Sequence, residues 1–119
     1  MTYLLIVSMD IEGIKEELFN EVYDTEHIPA ILKVPGVISA LRYKVEPMKM
    51  NFGTEVVIMD QSEEPTYTAI YEIESPDILE SNEWGEAVQF GRWADEVRPY
   101  TSNRQFALRK KIKGKLDKA

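Results

Sequence analysis

The chain has 119 residues, of which 44% are hydrophobic and 29% are charged, and this composition predicts one soluble globular domain. The formal net charge of −7 argues against nucleic acid as a partner. No apolar run approaches the ~20 residues that a membrane-spanning helix needs, so we expect no membrane partner and a cytoplasmic location. Because the chain has no cysteine, disulfides, zinc thiolates and cysteine nucleophiles are excluded.

The charge is unevenly distributed along the chain. Arg109 to Ala119 contains six lysines and arginines and one aspartate, so the preceding 108 residues carry a net charge of −12. We predict one folded domain over residues 1–112 and a basic tail over residues 113–119. The tail could bind an anionic partner, or it could be a solvated terminus without a partner.

The first half of the chain predicts a strand, a helix and a second strand. Thr2–Met9 is an apolar run rich in β-formers, with residues 3, 5, 7 and 9 on one face. From Ile14 onwards the apolar residues recur at three- and four-residue steps, which indicates a helix. Pro29 is expected to break that helix and to begin a new helical turn. Val37–Glu46 then predicts the second strand.

The second half predicts two more strands around a second helix. Pro47–Pro65 is too long for a tight hairpin, and Thr66–Glu74 follows as a strand with residues 67, 69, 71 and 73 on one face. Ser75 and Ser81 are candidate helix caps, and the helical pattern extends to residue 97. Asn103–Lys111 predicts the last strand.

The resulting order β-α-β-β-α-β predicts an α+β protein with the ferredoxin-like plan and a four-stranded antiparallel sheet. Two helices cover only one face of such a sheet. The first strand is nevertheless apolar on both faces, and Ile38, Ala40 and Ile70 add apolar groups opposite the main faces of their strands. We therefore expect a homodimer in which the sheet faces of two copies pack together.

Three segments carry a resemblance to a known family: YDTEHIPAILKVPGVISALRY from Tyr23, YEIESPDILESNEW from Tyr71, and GRWADEVRPYTSNR from Gly91. They resemble the EthD family of the dimeric α/β barrel superfamily, over Thr2 to about Ile112. The resemblance implies a role near catabolic oxidation systems, with a small apolar or aromatic metabolite as substrate or ligand. The Asn, Trp and His positions that haem-degrading barrels use are not matched in this chain.

His27, the only histidine, is the candidate for proton transfer because an unperturbed imidazole titrates near pH ~6.5. Tyr23 lies four residues earlier, about one helical turn, and can lie beside it. Such a pair could polarise or deprotonate a phenol, an enol or an activated CH group. Alternatively, His27 could cap the broken helix by bonding a carbonyl.

Six further residues are candidate binding residues, each with a structural alternative. Glu26 could be a functional carboxylate or could tilt into solvent. Phe90, Trp93 and Tyr71 could line a pocket or pack in the core or dimer seam. Arg98 and Arg104 could bind a carboxylate or phosphate, or could pair within the protein or contact the partner at the edge of a dimer.

No metal or other cofactor is expected. The six glycines are scattered rather than grouped in a phosphate-binding loop, and one histidine without cysteine is a poor transition-metal set. The sequence leaves three functions open: a small enzyme with cofactor-free oxidation, cyclisation or isomerisation, a non-catalytic binding or carrier dimer, and an interaction subunit of an oxidation system.

Overall fold

A computed structural model describes residues 2–118, which form six strands and three α-helices joined by shorter helical turns. The bounds are β1 Tyr3–Ile11, α1 Glu16–Val22, α2 Ile28–Leu32, β2 Val37–Lys44, β3 Met48–Asn51, β4 Val56–Met59, β5 Tyr67–Ile73, α3 Asn82–Gln89 and β6 Thr101–Lys110.

The main sheet has four antiparallel strands in the order β2-β5-β1-β6. The first and last strands of the domain, β1 and β6, are therefore neighbours, and β5 lies between β1 and β2. This is the split βαβ arrangement that the element order predicts. The ferredoxin-like α+β fold is confirmed.

The helices pack on one face of this sheet and bury the core there. The alternation in β1 and β5 is as predicted, since the odd-numbered residues of both strands face the helices. The largest fully buried side chains come from both layers: Tyr71, Phe19, Ile31, Ile73, Val22 and Val97. Ile14 takes no part, because α1 begins only at Glu16 and Ile14 lies in a preceding 3-10 turn, 91% exposed.

A bulge in β2 changes the predicted faces of that strand. The register with β5 shifts between Val37 and Ser39, which adds one residue and reverses the alternation beyond it. Ala40 therefore packs against the core, whereas Leu41 and Tyr43 lie on the opposite, open face. The expectation that Ala40 lies opposite the main face of its strand was wrong for this reason.

The segment between β2 and β5 forms a separate two-stranded hairpin of β3 and β4. Its second strand, Val56–Met59, lies within the short strand expected from Glu55 to Met59. The hairpin exposes several large apolar side chains, namely Met48, Met50, Phe52, Val56 and Ile58.

The second helical region is divided in a way that periodicity did not predict. Both serine caps are present: Ser75 accepts from the Asp77 N–H at 3.2 Å, and Ser81 accepts from the Trp84 N–H at 3.1 Å. The helix α3, however, ends at Gln89 instead of continuing to residue 97. Gly91 follows with φ +68°, a left-handed conformation that a helix cannot contain and that glycine adopts without steric cost.

Within residues 2–118 no helix is both long enough and apolar enough to cross a membrane.

Candidate functional site

A π-helical turn at Tyr23–His27 connects α1 to α2 without breaking the helix. The N–H of Ile28 donates to the carbonyl of Tyr23, five residues back, and the next residue is Pro29. Proline has no N–H, and in an α-helix its ring would collide with the carbonyl four residues earlier. The wider turn removes this conflict. Tyr23 and His27 consequently both point into the interior, where each is at least 95% buried.

A second π-helical turn, Trp93–Val97, lies across from the first. Here the N–H of Arg98 donates to the carbonyl of Trp93, and Pro99 follows directly. Each turn is therefore followed by one residue and then by a proline. They share the pattern aromatic-x-x-Glu-x-x-Pro, as YDTEHIP and WADEVRP.

The two turns bring three aromatic rings into contact. The imidazole of His27 stacks on the indole of Trp93, with ring centroids 4.3 Å apart and an interplanar angle of 25°. Tyr23 meets both rings edge-on, at 4.9 Å from His27 and 5.1 Å from Trp93. These contacts restrain all three rings, and they join two helical segments that are far apart in sequence.

This cluster forms part of the wall of a cavity of about 550 Å³ between the helices and the β1–β6 side of the sheet. The volume is within the range of small-molecule sites. Most of the lining is apolar or aromatic. The lining residues are Leu5, Val7, Met9, Tyr23, His27, Ile31, Tyr71, Leu79, Trp84, Val88, Gln89, Trp93, Arg98, Arg104 and Phe106.

His27 is neutral at physiological pH in this environment. Burial, together with the positive charges of Arg98 and Arg42, lowers its pKa to about 4. Its Nδ1 atom is buried and has no hydrogen-bond partner among the described residues. The alternative in which Nδ1 caps a helix carbonyl is therefore not what the structure shows. A buried ring nitrogen without a partner is costly unless a ligand satisfies it.

Two tyrosine hydroxyls meet beside the histidine. The hydroxyl oxygens of Tyr71 and Tyr23 are 3.5 Å apart. Burial raises the pKa of both phenols above the ordinary value near 10, so both remain protonated and can donate a hydrogen bond. Arg42 lies over the Tyr23 ring, 4.5 Å from its centroid.

Arg98 and Arg104 also line the cavity, as two of its polar residues. The guanidinium of Arg98 donates to the carbonyl of Val88 at 2.8 Å. Arg104 lies 5.3 Å from the ring centroid of Phe106 on the same strand. Within residues 2–118 neither arginine forms an ion pair with a carboxylate, so the internal pairing considered for them is not present.

The two other predicted binding residues, Glu26 and Phe90, lie elsewhere. They line a shallow groove of about 460 Å³ on the outer side of α2 and α3. Glu26 does not tilt freely into solvent, because it accepts from the backbone N–H of Arg92 at 2.9 Å and from its Nε at 2.8 Å. These hydrogen bonds lower the pKa of Glu26. Any ligand contact of these two residues would thus be separate from the cavity that holds His27.

Several lining residues were not predicted as site residues. Phe106 reaches the cavity because it pairs with Val7 across β1 and β6 and so shares its face. Trp84 also lines the cavity, where its ring meets that of Tyr71 edge-on at 6.1 Å between centroids. The repeated aromatic-x-x-Glu-x-x-Pro pattern is a signal that could have identified Trp93 as the counterpart of Tyr23.

The described part of the chain contains no group of three or more histidine, aspartate or glutamate residues that could hold a metal ion. The chemistry that the cavity can offer is therefore that of one neutral imidazole, two protonated phenols and two guanidinium groups in an aromatic wall.

Comparison of structures places this geometry in a known fold. An ethyl tert-butyl ether d (EthD) family protein from Bacillus halodurans is similar with a TM-score of 0.59 and 11% identity, over 94% of this chain and 100% of that chain. The protein has the ferredoxin-like fold of that relative. At this identity the likeness shows the fold, and the resemblance to the EthD family rests on the three sequence segments.

A second similar structure is a MhuD variant with two manganese protoporphyrin IX molecules bound per active site. Its TM-score is 0.58 at 10% identity, over 98% of each chain. No family model matches the chain, and no curated protein matches it.

Proposed function

We propose that the protein is an EthD-like dimeric barrel protein whose cavity binds a small, planar, apolar or aromatic molecule. The observation that carries this proposal is an aromatic-lined cavity of about 550 Å³ whose wall includes His27, a buried histidine with no hydrogen-bond partner at Nδ1. A ligand that supplies a hydrogen bond to this ring would remove the cost of its burial. The porphyrin bound by the MhuD variant supports a planar ligand for this fold.

The wall favours a flat molecule with few polar atoms. Trp84, Trp93, Tyr23 and Phe106 present aromatic surface, which packs best against other aromatic or planar groups. The protonated hydroxyl of Tyr71 donates to the hydroxyl oxygen of Tyr23, so the Tyr23 hydroxyl is the donor that remains for a ligand oxygen. Burial of such a ligand excludes water from all these groups and strengthens their hydrogen bonds.

The dimer is part of this proposal. On the open face of the sheet, Leu4, Leu41 and Tyr43 are more than one third exposed and flank the half-buried Ile6 and Ile70. Contiguous apolar surface of this kind on a sheet is typical of an interface. The partner on this face is a second copy of the chain, because a two-fold axis would pack the open faces of the two copies against each other.

Native mass spectrometry of protein from its natural host, before and after denaturation, tests the binding function. We expect a dimer that carries a small apolar or aromatic molecule and releases it on denaturation. The released molecule should rebind to the purified protein and quench its two tryptophans, since both line the cavity.

Two variants, two residues apart, locate the ligand. Val88→Phe fills the cavity and should abolish rebinding, whereas Phe90→Ala alters only the outer groove and should not affect it. Rebinding to Val88→Phe with unchanged affinity would show that the ligand lies elsewhere and would contradict the proposal. Circular dichroism spectra of both variants control for folding.

Proton transfer by His27 is a second candidate function. It is favoured by the same unpartnered Nδ1, with the Tyr23 ring 4.9 Å away, because a neutral imidazole can accept a proton. The low pKa means that the imidazolium would form only beside a compensating anion, such as a ligand enolate or phenolate. His27→Asn should then retain ligand binding and lose turnover, whereas a carrier would show no turnover in either form.

A further inference from the structure

The cavity has a charge opposite to that of the protein as a whole. The chain contains 21 acidic and 14 basic residues, yet no aspartate or glutamate is among the residues that line the cavity. The charged residues in the lining are two arginines, Arg98 and Arg104. In an acidic protein, arginines near a cavity are expected to be neutralised by nearby carboxylates, and these two are not.

Two of the other arginines can be compared directly with this pair. Arg42 pairs with Asp24 at 2.8 Å, and Arg92 pairs with Glu26 at 2.6 Å. Arg98 and Arg104, in contrast, have no carboxylate partner in the part of the chain that the structure describes. Of these four arginines, the two at the cavity are thus the ones without a carboxylate partner among the described residues.

The geometry of Arg98 leaves it able to bind a second acceptor. Its Nη2 donates to the Val88 carbonyl at the end of α3, which orients the guanidinium at the cavity wall. A guanidinium has several N–H donors, and one bond to a carbonyl uses one of them. Arg104 is exposed on the edge strand β6, and its guanidinium group lies over the ring of Phe106, another residue of the cavity lining.

The field of these arginines reaches the aromatic groups of the wall. The charge of Arg98 helps burial to lower the pKa of His27. The charge of Arg104 acts to lower the pKa of Tyr23 and so offsets part of the rise that burial causes. A site that is positive and largely apolar favours a ligand with one anionic group and a hydrophobic body.

We propose that the ligand is an aromatic carboxylic acid, whose carboxylate is bound by Arg98 and Arg104 while its ring lies among the aromatic side chains of the cavity. This inference rests on the proposed binding function and adds the charge of the ligand. The planar fork of a guanidinium matches the two oxygens of a carboxylate, and such charge-assisted bonds are about twice as strong as neutral ones.

A pair of matched probes tests the inference by isothermal titration calorimetry of the full-length protein. The probes are 2-naphthoate and 2-naphthamide, which share one ring system and differ in charge. We expect 2-naphthoate to bind at least about tenfold more tightly. We also expect its affinity to fall with added salt more steeply than that of the amide.

Three variants assign the preference to the two arginines. Arg98→Gln and Arg104→Gln should each reduce the affinity for 2-naphthoate about tenfold or more and leave that for 2-naphthamide unchanged. Lys33→Gln removes the same charge from the outer groove and should change neither affinity. Arg104 is exposed, so its replacement tests the inference even if Arg98→Gln fails to fold.

The outcomes separate this inference from the proposed function. Equal affinity for the two probes would overturn the anionic ligand and leave the binding cavity intact. A preference for the acid that survives both arginine variants, or that is lost in Lys33→Gln, would overturn the assignment to Arg98 and Arg104. If neither probe bound at all, the proposed aromatic-binding function would be contradicted, and this inference with it.

Discussion

The imidazole of His27 lies stacked on the indole of Trp93 at 4.3 Å between ring centroids. This contact joins the two π-helical turns, and each turn exists where a helix meets a proline. The same backbone feature that accommodates Pro29 and Pro99 therefore also directs the aromatic side chains into one cavity. A histidine two residues before a proline is in this protein part of the wall of an aromatic cavity.

The titration of His27 should appear in the stability of the protein. Its folded pKa of about 4 is below the ordinary value of 6.5, so the unfolded chain binds the proton more readily. The contribution to stability is complete above pH ~6.5 and is lost as the pH falls towards 4. Between pH 7 and pH 5 we expect a loss of about 2 kcal/mol in the free energy of unfolding, measured by urea denaturation.

The control for that measurement is His27→Leu, which removes the only histidine and leaves every carboxylate in place. Between pH 7 and pH 5, the free energy of unfolding of this variant should fall by ~2 kcal/mol less than that of the original protein. An identical pH dependence in both proteins would show that His27 is not held neutral by burial. Proton titration of the imidazole by NMR gives the pKa directly.

Replacement of Gly91 should destabilise the fold. Its φ is +68°, and a Cβ at this position would lie 2.3 Å from Oε1 of Glu26. Gly91→Ala should therefore lower the free energy of unfolding by about 1–3 kcal/mol, by backbone strain and by displacement of the Glu26 carboxylate from Arg92. Gly85→Ala is the control, since this glycine lies within α3 with no atom near its Cβ position.

For that control the expected sign is opposite. Alanine in the interior of a helix is favoured over glycine by about 0.5–1 kcal/mol, so Gly85→Ala should stabilise the protein. Both values follow from thermal or urea denaturation. If Gly91→Ala were also neutral or stabilising, the left-handed conformation at residue 91 would not be required.

A single charge on the open sheet face should separate the proposed dimer. Leu41→Lys places an ammonium group on the apolar face, opposite Ile70 of the neighbouring strand, and should yield a monomer in sedimentation velocity experiments. Phe90→Lys is matched to it, because both original side chains are 57% exposed and Phe90 lies on the helical side. A dimer that persists in Leu41→Lys, or dissociates in Phe90→Lys, would contradict an interface between the open faces.

Removal of the basic tail should not affect the folded domain. The last strand ends at Lys110, and the N–H of Lys111 still donates to the carbonyl of Thr2 at 2.9 Å. Within residues 113–118 the one ion pair joins Lys115 to Asp117 inside the tail. Truncation after Ile112 should thus change the free energy of unfolding by less than about 0.5 kcal/mol. A larger loss, seen by urea denaturation, would show that the tail belongs to the domain.

The same truncation addresses the alternative function as an interaction subunit. If the tail binds an acidic partner, the complex should be salt-sensitive and should be lost in the shortened protein. Pull-down from the natural host at low and at high salt compares the two forms. A complex that remains intact without the tail would exclude this role for it.

Local patterns in the sequence were sufficient for the order of elements and for much of the core. The alternation in β1 and β5 identified the residues that face the helices, because a strand places neighbouring side chains on opposite sides. The serines at residues 75 and 81 were identifiable as caps for a similar reason, since a cap acts on N–H groups only two or three residues away. These interactions depend on short stretches of chain.

Only the tertiary structure decided which distant residues share the cavity. Tyr71, Trp93, Arg98 and Arg104 meet His27 through strand register and helix packing, which no local period encodes. The bulge in β2 reversed the faces of Leu41 and Ala40 by one inserted residue. Glu26 turned away from the cavity because Arg92, 66 residues later, offers it two hydrogen bonds. The sequence by itself determined the order of the elements and the inner faces of β1 and β5, whereas the charge and composition of the site arose from contacts between segments far apart in the chain.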